Sequence, residues 1–343
     1  MKDLVQQVQL NCHISDAQYA GNYTLCIYLL KMREFYRWES QLPITKKLDN
    51  NDIGLWLTER EALWDDIDET PLTNLQINGQ TCDIFDSEKI NQLLETHQLV
   101  YSGGYGLYGK PVFFLGELLH KEQQEDYTLY ITGKELARDL AAPPGMALNK
   151  TVYIRRESLR RFIWEKVEES GWHKQENPLS RALGCYDFKN SPESSLEKMT
   201  DSEVNTVLHH EIGEIKAGKI LGEIWEEMLI NLPPSQAEIM ARAVRDNIAD
   251  MLATLPGLLR RNEPAQMHFY FANLSSMRKL IFPSLQAAYS EWLTTESTDK
   301  LDELIPRASS HWINIAQQMI DIYQLHNENA HTHMESLIND NTF

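Results

Sequence analysis

The chain of 343 residues carries 50 Asp and Glu against 32 Lys and Arg, a formal net charge of −18 at pH 7. That excess of acid argues against general affinity for nucleic acid or anionic membranes, because phosphate contacts need clustered Lys and Arg. With 42% apolar and 24% charged residues, the composition is that of one large or two ordinary globular domains, neither collagen-like nor disordered.

The first sixteen residues, MKDLVQQVQLNCHISD, lack the continuous apolar core of a signal peptide. No uncharged apolar run reaches the roughly 18 residues of a membrane span. Cys12, Cys26, Cys82 and Cys185 are scattered without a CxxC pair, the pattern of a reduced protein and not of a disulfide scaffold or zinc knuckle. Cys26, inside TLCIYLL, reads as a small buried hydrophobe. Together these features predict a cytoplasmic protein.

A first helix is expected from Ser15 to Ser40, opened by a Ser15/Gln18 capping-box spacing and apolar on nearly every side, hence deeply buried. NNDIGLWLTEREALWDDI (50–67) reads as a second helix, TPLTNLQINGQT (70–81) as loop and SEKINQLLETH (87–97) as helix. The stretch 99–124 reads as a short extended piece, a glycine-rich loop and a helix opened by Pro111. DYTLYIT (126–132) alternates as a strand does; Gly133 leads into KELARDL, and Pro143-Pro144-Gly145 breaks the chain. KTVYIRR (150–156) reads as a strand before the helix ESLRRFIWEKVEES (157–170). A polar stretch then marks a boundary, giving a mixed domain 1–175, a linker 176–199, a helical domain 200–331 and a flexible tail 332–343. Capping-box spacings at Thr200/Glu203 and Ser235/Glu238 open helices in the second part, followed by helices over 264–292, interrupted near Pro283, and over 306–326.

On a regular helix from Asp201 to Asn231, Val204, Val207, Leu208, Ile215, Leu221, Trp225 and Leu229 share one side. Glu211 falls near its middle, Glu214 lies within it, His210 borders it and His209 points away. Glu223, Glu226 and Glu227 lie outside. In the first helix Tyr23, Ile27, Leu30, Glu34 and Trp38 follow at three- and four-residue steps, setting Glu34 into an apolar row. A buried ionised carboxylate is costly unless it is paired or holds a metal.

His210 and Glu214, at i and i+4, can share an ion. HEIGE misses the zincin HExxH by one residue, and the Glu-x-x-His spacing of di-iron bundles is absent. A carboxylate-rich helical site fits the residue types better. The alternative is an arginine network, with Arg138, Arg155, Arg156, Arg160, Arg161 and Arg245 as partners; acid–base chemistry without metal is a third reading. Gly218 and Gly222 suggest close approach of another helix on the Glu211 side.

GYGLYGKP (104–111) lacks the hydroxyl that ends a Walker A loop, so no nucleotide cofactor is expected. A tyrosine-rich loop over a pocket is the better reading, with Lys110 facing an anionic substrate. His311, Ile315, Ile322 and His326 share a face and read as core. HNENAHTH (326–333) could hold metal adventitiously, and His268, Asn247 and Asp250 are further candidate partners of the glutamates. No G-x-S-x-G elbow or recognisable Ser/His/Asp arrangement is present.

At AQYAGNYTLCIYLLKMREFYRWE, GKELARDL and LHHEIGEIKAG the chain resembles a family of uncharacterised bacterial proteins, over most of its length. The resemblance implies a bacterial cytoplasmic origin and a mixed-then-helical architecture, and carries over no catalytic residues. The expected fold is α+β and predominantly helical, with the first helix facing the helix of Glu211. The leading expectation is a metal-dependent hydrolase or oxidoreductase: Glu34, His210 and Glu214 bind a divalent metal, Glu211 is a further ligand or general base, and Lys110, Arg156 and Arg160 contact an anionic substrate. The rival is a non-catalytic interaction or scaffold protein whose acids are locked by arginines. A small molecule or a protein is the expected partner, not nucleic acid or membrane.

Overall fold

The computed structural model describes residues 2–106, 109–148, 150–171, 176–325 and 329–343. It forms two units, Met1–Glu165 and Lys166–Phe343, the first mixed and the second helical, so the expected α+β, mostly helical class holds.

In the first unit α1 spans Lys2–Tyr19, a 3-10 turn spans Ala20–Asn22 and α2 spans Leu25–Glu39. The single helix expected from Ser15 is therefore corrected: the chain is already helical at Lys2 and breaks at the turn-forming Gly21-Asn22. Ser15 is no cap; it is buried inside α1, where its hydroxyl donates to the Pro111 carbonyl. Nor is the helix buried all round, since Leu25, Ile27, Leu30 and Cys26 are exposed. Asp49 caps α3, Asn50–Ile67, by accepting from the Asn51 and Asp52 amides at 2.8 and 3.3 Å.

The expected loop at 70–81 contains a hairpin, β1 (Leu75–Ile77) and β2 (Gln80–Cys82). Its turn, Asn78-Gly79, has positive φ at both residues (51° and 79°), the geometry for which Asn-Gly is favoured. After α4, Ser87–Leu94, come β3 (Leu99–Tyr105), β4 (Pro111–Gln123), β5 (Thr128–Arg138), β6 (Gly145–Leu148) and β7 (Thr151–Arg155). They form one sheet in the order β3-β4-β5-β7-β6, antiparallel except for the parallel β5–β7 pair.

The helix expected after Pro111 is thus the strand β4. Phe113 and Leu115 pack on one face with Leu4, Val8 and Cys12 of α1, while Phe114 packs on the other with Val100 and Tyr153. A strand covered on both faces reads as a continuous apolar run, which periodicity cannot distinguish from buried helix. KELARDL likewise continues β5 as far as Arg138.

α5, Arg156–Ser170, leads into the second unit. There α6 spans Pro178–Gly184, α7 Pro192–Leu221, α8 Glu223–Asn231 and α9 Gln236–Ala249. A π-helical segment, Asp250–Thr254, joins α9 to α10, Leu255–Arg261. α11 (Pro264–Asn273), α12 (Ser276–Ile281), α13 (Pro283–Thr295), α14 (Asp299–Leu325) and α15 (Ala330–Asp340) complete it. Its core gathers Trp225, Met240, Val244, Ile248, Phe282, Trp312, Met319 and Met334.

Ser235 caps α9 as expected, accepting from the Glu238 amide at 3.3 Å. Thr200 caps nothing: it lies within α7 and donates to the Leu196 carbonyl at 2.7 Å. Pro306 sits inside α14, not at its start. His311 bonds the Asn341 carbonyl at 2.9 Å between the Trp312 and Phe343 rings, a core histidine. His326 lies outside the described residues.

Gly222 ends α7 at φ 74°, and a Cβ at Gly218 or Gly222 would meet nothing within 4 Å. The close approach is at Gly213, where a Cβ would lie 2.2 Å from the Ala249 carbonyl oxygen. Gly213→Ala is therefore expected to cost about 1–3 kcal/mol by overpacking. Gly218→Ala should gain up to about 1 kcal/mol from helix propensity. Urea unfolding of both variants checks this, and equal effects would contradict the packing.

Candidate functional site

α7 passes over α9 and the π segment at Gly213, which lets the polar residues one turn to either side reach across. His210 Nδ1 lies 2.9 Å from Asp250 Oδ1, and its Nε2 lies 3.9 Å from Glu214 Oε1. His210, Glu214 and Asp246 each offer a ligand atom, all within 4.8 Å of one another. Some point therefore lies within about 2.8 Å of all three atoms, near the roughly 2.0–2.2 Å at which such ligands hold an ion.

Asp250 anchors the group. Buried at 1% exposure, it accepts from Thr254 Oγ1 at 2.7 Å, from Tyr270 Oη at 2.8 Å and from Arg278 Nη2. Burial opposes its ionisation, but Arg278, His210 and Thr254 outweigh it and hold the carboxyl well below its usual range. Arg278 is fixed from its other side by Asn247 Oδ1, 2.9 Å from Nε.

For His210, burial disfavours the charged ring, yet the Asp250 hydrogen bond and the Asp250, Glu214 and Glu211 charges raise it to about 10. Glu211 is buried, and desolvation, aided by Glu214 and Asp246, pushes its carboxyl up to about 7 against the pull of His210 and Arg245. Glu214 is raised first by burial, although Arg245 Nη2 lies 3.0 Å from Oε2.

The structure thus brings His210, Glu211 and Glu214 together and adds Asp246, which sequence reasoning missed. Asp246 and Asp250 stand at i and i+4, the signal that could have found it, but in VRDNIAD the first acid reads as surface charge beside Arg245. His209 points elsewhere and lies over Gly257, with its ring 2.3 Å from the place of a Cβ there. His268 bonds the Tyr289 hydroxyl at 2.8 Å and packs on Trp292.

Glu34 belongs to the other unit, where Arg37 Nε lies 3.0 Å from Oε2 and Arg33 3.6 Å from Oε1. Lys110, expected to face an anionic substrate from a loop over a pocket, is buried and ion-paired with Asp16. Arg155 makes a two-pronged pair with Glu135, at 3.0 and 2.8 Å, and lies over the Phe114 ring. Arg156 and Arg160 sit in the first turns of α5.

Both raised groups give stability the same sign of pH dependence. Glu211, about 7 folded against 4.5 unfolded, favours the fold below 4.5 and loses that contribution as pH rises through 7. His210, about 10 folded against 6.5, favours it below 6.5 and loses it towards 10. Urea unfolding across pH should show Glu211→Gln flattening the lower decline and His210→Gln the upper. Parallel profiles for wild type and variants would contradict the assignment.

No curated protein and no solved structure matches the chain. Residues 3–155 match the model of the "Family of unknown function (DUF6866) N-terminal domain", and residues 160–341 that of its C-terminal domain. Neither description assigns an activity. With nearly its whole length matched by the two domain models in order, the chain belongs to the DUF6866 family of unknown function.

Proposed function

We propose that the second unit binds a divalent transition metal through His210, Glu214 and Asp246 and uses it for hydrolysis. The observation that carries this reading is the pinned imidazole. Asp250 holds Nδ1, so Nε2 is turned towards Glu214 at 3.9 Å, too long for a hydrogen bond and suited to two ligands sharing an ion. A carboxylate behind a ligating histidine fixes its tautomer and raises its basicity, as in other metal centres. One imidazole and two carboxylates suit zinc, manganese or iron. Glu211, beside the group and near neutrality, is placed to take the proton from a metal-bound water. Loading must displace the proton from His210 and loosen Arg245 from Glu214, so affinity should rise with pH. Four unpaired thiols accord with a cytoplasmic setting for the same activity.

A second reading rests on the arginines. Arg245 on Glu214 and Arg278 on Asp250 can make the group a structural charge network and the protein a non-catalytic scaffold. The two separate in one experiment: metal content by plasma mass spectrometry after chelation, reloading with Zn2+ or Mn2+ and dialysis. The metal reading expects near-stoichiometric metal, a higher melting temperature with metal, and loss of both in His210→Ala/Asp246→Asn. Metal-free wild type with an unchanged melting temperature overturns it in favour of the network.

A further inference from the structure

A second feature lies in the first unit, apart from the residues of the proposed metal site. Beside the loop 140–144, between α2 and α5, is a cavity of about 180 Å³ walled by Lys31, Arg138, Ser158 and Arg161, with Glu34 and Glu165. It is smaller than the roughly 300–1,000 Å³ usual for drug-sized ligands.

Arg138 is 4% exposed, and its Nη1 meets no acceptor among the described residues. Its Nε donates to the Asp139 carbonyl at 3.2 Å, and the guanidinium lies over the Phe35 and Trp38 rings. An orphaned guanidinium nitrogen in a buried wall is costly and calls for a partner. Its nearest carboxylate, Glu135, is engaged by Arg155 and Ser158 and stands 3.9 Å from Nε.

The wall carries three cations, Lys31, Arg138 and Arg161, against Glu34 and Glu165, and Arg161 is also paired with Glu157. Glu34 is ion-paired through Oε2 with Arg37 and lies 3.6 Å from Arg33 through Oε1, which accepts no hydrogen bond among the described residues; neither arginine lines the cavity. Lys31 Nζ reaches the Ala141 carbonyl at 3.3 Å and is lowered by burial. Burial, with Arg161 and Arg155 added, lowers Arg138 to about 10. Burial is the largest cause for both cations, and an anion in the cavity would offset it.

We propose that this cavity is a binding site for a small oxyanion, a carboxylate or phosphate of metabolite size, seated on Arg138 Nη1 with Lys31 and Arg161 flanking it. Guanidinium is suited to planar, two-oxygen recognition of either group, and the space admits such a ligand but not a nucleotide.

The test is isothermal titration of the full chain with inorganic phosphate and, separately, succinate, at constant ionic strength. Binding of either probe is expected, with phosphate or succinate preference naming the source. Arg138→Gln should weaken it at least about tenfold, as loss of a charged hydrogen bond does. Lys31→Met, at a half-buried position of α2, should weaken it several-fold and serves if the Arg138 variant fails to fold. No heat from either probe at millimolar concentration, or equal binding by folded wild type and Lys31→Met, overturns the proposal. His210→Ala/Asp246→Asn should leave it unchanged, so its failure is distinct from that of the metal reading.

Discussion

The carboxylate of Asp250 ties together four segments of the second unit. Its donors come from α7 (His210), the π segment (Thr254), α11 (Tyr270) and α12 (Arg278). A buried carboxylate with four donors is stable as an ion, whereas any donor left without it is not. Removing Asp250 would strand the buried Arg278 charge, a loss of about 3–5 kcal/mol by the general behaviour of buried pairs. The orientation of His210, and with it everything proposed for Glu214 and Asp246, depends on this one group.

The π segment is part of the same arrangement. An i→i+5 turn displaces the helix path where α9 meets α10, and such bulges recur at functional positions. Here it begins at Asp250 and ends at Thr254, so that Thr254 Oγ1 meets Asp250 Oδ1 at 2.7 Å. Directly before it, the Ala249 carbonyl presses against Gly213. The close approach of α7 at Gly213 and the hub of its hydrogen bonds are thus adjacent in sequence at Ala249 and Asp250.

The first unit meets the same cost of buried charge with pairs instead of a hub. Glu135 sits between Arg155, Ser158 and Arg138. Burial raises its carboxyl pKa most strongly of the single causes, but Arg155, Arg138 and Ser158 together outweigh it and lower the carboxyl. Asp16 holds Lys110 and the Leu140 amide, yet burial still raises it to about 6. Arg138, whose Nη1 meets no acceptor among the described residues, faces the cavity. In the first unit an exception to pairing points to a ligand; in the second it is the way a pair orients His210 towards Glu214.

Local signals determined much of the fold. The helices over 50–67, 87–94 and 156–170, the β7 strand and the Ser235 cap all rest on periodicity or short-range capping, which act within a few residues and are legible as written. So was the inward placement of Glu211, because it follows from helical spacing alone. Other outcomes required partners distant in sequence. Whether PVFFLGELL became strand or helix depended on cover for both of its faces. Ser15 and Thr200, good caps by sequence, were drawn into helix interiors where carbonyls accept their hydroxyls. Which acids meet which bases was likewise beyond spacing: Lys110 with Asp16, Arg245 with Glu214, and His210 with Asp250 are separated by 94, 31 and 40 residues. Side-chain spacing fixes the face of a helix on which a charge stands; only tertiary packing decides what stands opposite it.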